Sequence, residues 1–235
     1  MIPEGAIRYG EDSFLIKGFL PNDAMYFRRI LYGYPWLDRG LPELGYRGNE
    51  LNRTKFFLTK YRRRKHVYSY TGFQWPSVLQ YGCWKDYVLM RKLIKRLRCF
   101  GKYNHIIGTL YENGSDNIGF HSDKIRSWTP ETSVAILSLG ATREFQLKRK
   151  SDDTITSIQF ESGDLFVLGW NDNQTFQHSI PAVEKCEPRI SLCFRDIQEC
   201  YTLKELDKKI QSSDKARKHR VMKKAEAKAL KLEIV

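Results

Sequence analysis

Val134-Ala135-Ile136-Leu137-Ser138-Leu139-Gly140-Ala141-Thr142-Arg143-Glu144-Phe145-Gln146-Leu147 holds two short β-rich runs with a glycine corner between them. Val134–Leu139 and Arg143–Leu147 read as strands, and Gly140 stands where the chain must turn. The pattern continues on both sides. Ile106–Leu110 precedes the pair, while Ile155–Phe160, Asp164–Leu168, Phe176–Ile180 and Ile190–Arg195 follow it, with further corners at Gly163-Asp164 and Asn171–Asn173. Short strands spaced this closely, with no helices between them, predict a sandwich or a jelly roll, the latter a double-stranded β-helix.

Outside this block the signals are mixed. Residues 14–20 read as a short strand, and Pro21 and Asn22 open a helix running to about Leu31, with Asn22 or Asp23 as its cap. Residues 35–55, rich in Gly, Pro and charge, read as surface loop. Residues 56–70 carry a basic run, Lys60–His66, and then the alternating Val67-Tyr68-Ser69-Tyr70 of a strand or hairpin. The clearest helix is 85–98. Met90, Leu93, Ile94 and Leu97 form its apolar stripe, suited to covering the outside of a sheet, and Arg91, Lys92, Lys95 and Arg96 form the other side, read as a solvated face with a nucleic-acid contact as the alternative. The expected fold class is therefore mainly β with flanking helices, α+β, without internal repeats.

Composition narrows the partners. Lys+Arg 40 against Asp+Glu 27 gives a net charge of +13, which speaks to polyanions. Residues 203–235 hold 11 Lys/Arg and 5 Asp/Glu in helix-favouring sequence, either a solvated tail or an electrostatic arm. Five scattered cysteines without C-x-x-C argue against a disulfide framework or a zinc cluster, and for a reducing compartment. No secretory leader or membrane span is evident, so a soluble, intracellular protein is expected, in nucleus or cytoplasm.

Two constellations carry chemistry. His121-Ser122-Asp123 is followed by His178 on a later strand. Two imidazoles and one carboxylate make the facial triad of non-haem iron(II) oxygenases, and alternation along a strand would aim His121 and Asp123 into one barrel mouth. Alone, His-x-Asp arises often by chance, as a surface histidine beside a capping aspartate. The second constellation is the last strand, where Arg189, Ser191, Cys193 and Arg195 share one face and Ile190, Leu192 and Phe194 the other. Two arginines on one side of an apolar strand are costly to bury without an anion. A dicarboxylate such as 2-oxoglutarate would supply it, gripped by guanidinium forks; a structural ion pair is the alternative.

The segment Leu110-Tyr111-Glu112-Asn113-Gly114-Ser115-Asp116-Asn117-Ile118-Gly119-Phe120-His121-Ser122-Asp123 closely resembles the AlkB family's N-x-Y, loop and H-x-D. Val134–Gly140, Arg143–Leu147, Gly163-Asp164 with its apolar strand, and Arg189–Arg195 resemble the strands that follow in that family. The resemblance is strong over 105–197, weaker over 14–104 and absent from the tail. It implies an iron(II)- and 2-oxoglutarate-dependent dioxygenase that uses O2 to dealkylate nucleic-acid bases, with release of aldehyde, succinate and carbon dioxide.

It also implies metal ligands His121, Asp123 and His178, with Thr109, Tyr111, Arg189, Ser191, Cys193 and Arg195 at the cosubstrate. Thr109 stands for the family's Asn, Ser191 and Cys193 for its Asn and Thr, and Ile125 for an acidic residue common in DNA-repairing members. The implied organisation is an extension over 1–104 with a nucleotide-recognition hairpin, an oxygenase core over 105–200, and a basic tail over 201–235.

Tyr68, Tyr70 and Trp75 are candidates to stack on a base, unless they are ordinary strand packing, and Ile125 would lie near that base. Arg62, Arg63 and Arg64 are candidates for phosphate contact. The expected partner is alkylated DNA or RNA. Single strands avoid the cost of base flipping, and the protein is expected to act as a monomer. Two alternatives stay open: a same-fold oxygenase acting on protein or another substrate, and a nucleic-acid-binding module with an inactive iron site.

Overall fold

The computed structural model describes residues 2–36, 53–61, 63–66, 81–125, 128–198 and 200–202, together with 204, 205, 208, 211 and 212. In chain order the elements are β1 (Ile7–Arg8), β2 (Phe14–Ile16), α1 (Asp23–Gly33), β3 (Lys55–Thr59), β4 (Arg64–His66), β5 (Tyr81–Cys83) and α2 (Val88–Leu97). Then follow β6 (His105–Tyr111), β7 (Ile118–His121), β8 (Val134–Gly140), β9 (Arg143–Arg149), β10 (Ile155–Phe160), β11 (Leu165–Leu168), α3 (Trp170–Thr175), β12 (Phe176–Ile180), β13 (Arg189–Arg195) and β14 (Cys200–Thr202). An eight-stranded sheet runs β1-β2-β11-β8-β13-β6-β3-β5 and faces a four-stranded sheet, β10-β9-β12-β7. Together they form the jelly roll. β4 and β14 make a separate two-stranded ribbon.

Strand pleating divides the interior in two. On β6, Ile106 and Leu110 face α1 and α2, while Ile107 and Tyr111 face the small sheet. On β13, Ile190, Leu192 and Phe194 join Met90, Leu93 and Leu97 of α2 in the outer layer. The inner layer sets Phe145, Leu147, Ile158 and Phe160 of the small sheet against Ile136, Phe166 and Leu168 of the large one. Each buried side chain of this size contributes about 1.5–3 kcal/mol. The 85–98 helix prediction thus finds its partner, although the α-helix begins at Val88 after a 3-10 turn at Trp84–Asp86.

Other local expectations shift. The strand expected over 14–20 stops at Ile16. Asn22 precedes α1 in a left-handed conformation (φ 60°) and caps with its carbonyl alone, accepting from the Met25 and Tyr26 N–H groups. Lys55, placed in a loop by composition, opens the buried strand β3. α3 forms where only a corner was expected. The Gly163-Asp164 corner holds: Gly163 has φ +83°, and Asp164 accepts from the Gly18 N–H at 2.8 Å, the Glu161 N–H at 2.9 Å and Lys17 Nζ at 2.7 Å.

Close packing makes a testable demand at Gly108, midway along β6. A Cβ there would lie 2.2 Å from the ring of the buried Phe56. Gly108→Ala should therefore cost about 1–3 kcal/mol of unfolding free energy, read by denaturant titration. No helix among the described residues is long and apolar enough to cross a membrane.

Candidate metal centre

β12 lies between β9 and β7 in the small sheet, and its register sets His178 directly opposite His121. The two imidazole centroids are 4.2 Å apart. One ligand atom from each of His121, Asp123 and His178 lies within 4.8 Å of the others, a spacing that one metal ion can satisfy. His121 Nδ1 sits 2.9 Å from the Gly119 carbonyl. A carbonyl can only accept, so Nδ1 carries the proton and Nε2 keeps its lone pair for a metal.

Asp123 reaches the site differently from the sequence expectation. β7 ends at His121, so strand alternation does not aim the carboxylate. Asn173 holds it instead: the Asp123 N–H donates to Asn173 Oδ1 at 2.9 Å, and Asn173 Nδ2 donates to the Asp123 carbonyl at 3.0 Å. Asn173 is itself carried by α3, which is anchored by a reciprocal pair. Asp172 accepts from the Glu11 and Asp12 N–H groups, and Asp12 accepts from the Asn171 and Asp172 N–H groups, at 2.9–3.0 Å. The reading of 171–173 as a corner missed this clamp, and no local signal marks Asn173. Asn173→Ala should leave two buried backbone groups unsatisfied, costing about 1–3 kcal/mol and about 10–100-fold in metal affinity, measured by metal titration.

The carboxylate also meets an arginine. Arg195 Nε and Nη2 donate to Asp123 Oδ2 at 3.1 and 2.5 Å. Burial opposes the charge of Asp123, yet Arg195, His178 and His121 together outweigh it and hold the carboxyl well below its usual range. Burial, followed by His121, pushes His178 down to about 3, and burial also lowers His121. At neutral pH the centre is two neutral imidazoles and one carboxylate, the protonation state a divalent metal requires.

β13 supplies the rest of the cavity wall. Arg189, Ser191, Cys193 and Arg195 line the same cavity as His121, Asp123 and His178, joined by Thr109 and Tyr111 from β6. Register sets Arg189 opposite Tyr111 and Ser191 opposite Thr109. Arg189 is 1% exposed, and its Cζ lies 5.2 Å from the Tyr111 ring centroid and 5.3 Å from that of Phe160. Its Nε donates to Ser138 Oγ at 2.9 Å, while Nη1 finds no hydrogen-bond partner among the described residues. A buried guanidinium with an unsatisfied N–H awaits an acceptor.

Two charged cavity residues were missed by the sequence reading. Lys55, buried on β3 in register with Thr109, and Arg53, which donates to Tyr111 Oη at 3.2 Å, both line this space. Lys55 shares a face of β3 with Phe57 and Thr59, against Phe56 and Leu58 on the other, and that period of two is the signal that could have found the lysine. Of the proposed base and phosphate contacts, Tyr68, Tyr70, Trp75 and Arg62 lie outside the described residues. Arg63 is exposed, Arg64 pairs through its backbone with Thr202, and Ile125 packs partly buried against the inner core.

The family model of the 2OG-Fe(II) oxygenase superfamily matches residues 42–195. The chain belongs to that superfamily. Within it the similarity runs to AlkB homologues. DNA oxidative demethylase ALKBH2 of Homo sapiens is 29% identical over 104 residues, 40% of this chain and 40% of the human protein. The Arabidopsis thaliana protein of the same name is 24% identical over 216 residues, covering 80% of this chain and 67% of that protein. The solved structure of OsALKBH1 superposes with a TM-score of 0.55 at 20% identity, covering 81% of this chain and 99% of that one, a likeness of fold.

The superfamily's cofactors are iron(II), 2-oxoglutarate and dioxygen, and the oxygenase site fits them on its own geometry. Two neutral imidazoles and an ionised aspartate suit a ferrous ion. The unsatisfied Nη1 of Arg189 suits a carboxylate deep in the cavity.

Proposed function

We propose that this oxygenase removes alkyl groups oxidatively from nucleic-acid bases, in DNA or RNA. The observation that carries the reading is a single cavity lined both by the His-Asp-His set and by a buried guanidinium with an unused donor. His121, Asp123 and His178 would hold iron, and Thr109, Tyr111, Arg189, Ser191, Cys193 and Arg195 would hold 2-oxoglutarate. Iron bound there with 2-oxoglutarate and dioxygen supplies oxidation of a carbon–hydrogen bond, coupled to decarboxylation of the cosubstrate to succinate. The hydroxylated alkyl group then leaves its nitrogen as an aldehyde.

The protein's own share is positioning and protection. Arg195 keeps Asp123 ionised and oriented, Asn173 fixes its backbone, and the Gly119 carbonyl sets the His121 tautomer. Ile107, Ile136 and Phe145 wall the cavity with apolar surface that limits water. A net charge of +13 and the exposed Arg63, in the same basic run of sequence as Lys60, support a phosphate backbone as partner. The ALKBH2 relatives are named DNA oxidative demethylases, in line with a nucleic-acid substrate.

The test is formaldehyde release from a methylated single-stranded oligonucleotide and from a methylated peptide, each with iron(II) and 2-oxoglutarate. Release from the oligonucleotide alone supports the proposal. Release from the peptide alone, or succinate formation with neither, overturns it.

A further inference from the structure

Arg189 and Cys193 approach one rung of the sheet from its two sides. Arg189 Nε donates to Ser138 Oγ at 2.9 Å, and Ser138 is the register partner of Ser191. The guanidinium therefore stretches along β13 from its own position to the next inward-facing one. Cys193 reaches the same rung from the other direction, its Sγ 3.7 Å from Ser191 Oγ. Both side chains line the cavity of the His-Asp-His set, and Cys193 is a partly exposed free thiol.

The thiol has a built anion site beside it. Arg189 is 1% exposed, and its Nη1 has no hydrogen-bond partner among the described residues. Such a donor calls for an acceptor, best a carboxylate. Ile107 on β6 and Ile136 on β8 stand opposite Cys193 and also line the cavity. An acid held by Arg189 would run its carbon chain past these apolar side chains to the sulfur.

We propose that Cys193 is a covalent modification site for α,β-unsaturated dicarboxylates, captured after one carboxylate pairs with Arg189, an inference that rests on the cosubstrate placement above and holds whatever substrate is dealkylated. The cysteine sulfur is the nucleophile. A sulfur–carbon bond forms as the π bond of the alkene breaks, and the proton that the thiol gives up ends on the neighbouring carbon. Nothing is oxidised or reduced. The product is a thioether whose carboxylates occupy the place of 2-oxoglutarate.

An unsaturated dianion is a poor electrophile in free solution, so exposed thiols react with it slowly. Holding alkene and sulfur together raises their effective concentration. Selectivity should then follow the carboxylates rather than intrinsic reactivity. Dimethyl fumarate makes the comparison sharp, because the diester is the stronger electrophile but offers Arg189 no charge.

The manganese(II)-loaded protein is incubated with fumarate, and adducts at Cys193 and at the exposed Cys99 are followed by peptide mass spectrometry. Cys193 is expected to react at least about tenfold faster than Cys99 with fumarate, and to lose that preference with dimethyl fumarate. N-oxalylglycine, an unreactive 2-oxoglutarate analogue, should slow the Cys193 adduct about tenfold or more and leave Cys99 alone, as should Arg189→Met. After fumarate is removed, the parent should stay impaired in 2-oxoglutarate binding, whereas Cys193→Ser should regain its own starting affinity.

Fumarate adducts at Cys99 as fast as at Cys193 overturn the proposal, as does a Cys193 adduct that neither N-oxalylglycine nor Arg189→Met slows. Absence of any adduct at Cys193 overturns it too. In that case 2-oxoglutarate binding that still depends on Arg189 leaves the cosubstrate site standing, and binding indifferent to Arg189 removes the site together with the inference.

Discussion

His121→Ala should lower 2-oxoglutarate-dependent turnover by more than about 100-fold, exceeding the 10–100-fold that outer-shell partners of a metal usually carry. The fold should survive, because His121 lies at the end of the edge strand β7 with a partly exposed side chain. Unfolding free energy is expected within about 1 kcal/mol of the parent. Asp123→Ala is a less clean experiment. It strips the carboxylate from Arg195, which is 5% exposed, and breaking such a buried pair costs about 3–5 kcal/mol. Iron content, turnover and denaturant unfolding, measured on the same preparation of His121→Ala, separate loss of metal from loss of structure. Turnover at the parental level with parental iron content would remove His121 from the metal centre.

The second large effect is expected at Arg189. Arg189→Met keeps an apolar stem against Tyr111 and Phe160 but removes the donors. Losing charge-assisted hydrogen bonds of about 1.5–3 kcal/mol each should raise the 2-oxoglutarate concentration needed for half-maximal activity by about 100-fold. Arg149→Met is the control. Arg149 lies at the end of β9, where an exposed bond at 3.1 Å ties it to Asp152. Its replacement should leave the cosubstrate requirement unchanged. Direct titration of 2-oxoglutarate into the metal-loaded protein checks that the Arg189 effect is one of binding. Equal responses of the two variants would place Arg189 outside the cosubstrate site.

β13 shows why part of this molecule was legible in advance. Its side chains alternate Arg189, Ser191, Cys193, Arg195 against Ile190, Leu192, Phe194, and the structure has the first set facing the cavity and the second facing α2. Facing is a local property of a pleated strand, so composition along a few residues decides it. β8, β9, β11 and β12 were readable as short β-rich runs bounded by corners such as Gly140 and Gly163-Asp164. Lys55 was hidden because glycine, proline and charge upstream outweighed a strand of five residues.

By itself, then, the sequence determined the two-sheet architecture, the faces of its strands, and the excess of positive charge. Tertiary structure alone decided how Asp123 is held. Its position depends on Asn173, and that on a pairing between Asp12 and Asp172 some 160 residues apart. Tertiary structure also decided that Arg195 would meet Asp123, and that Arg53 and Lys55 would crowd the same cavity. Such juxtapositions follow from which strands become neighbours across a sheet, a non-local outcome that no short-range periodicity encodes.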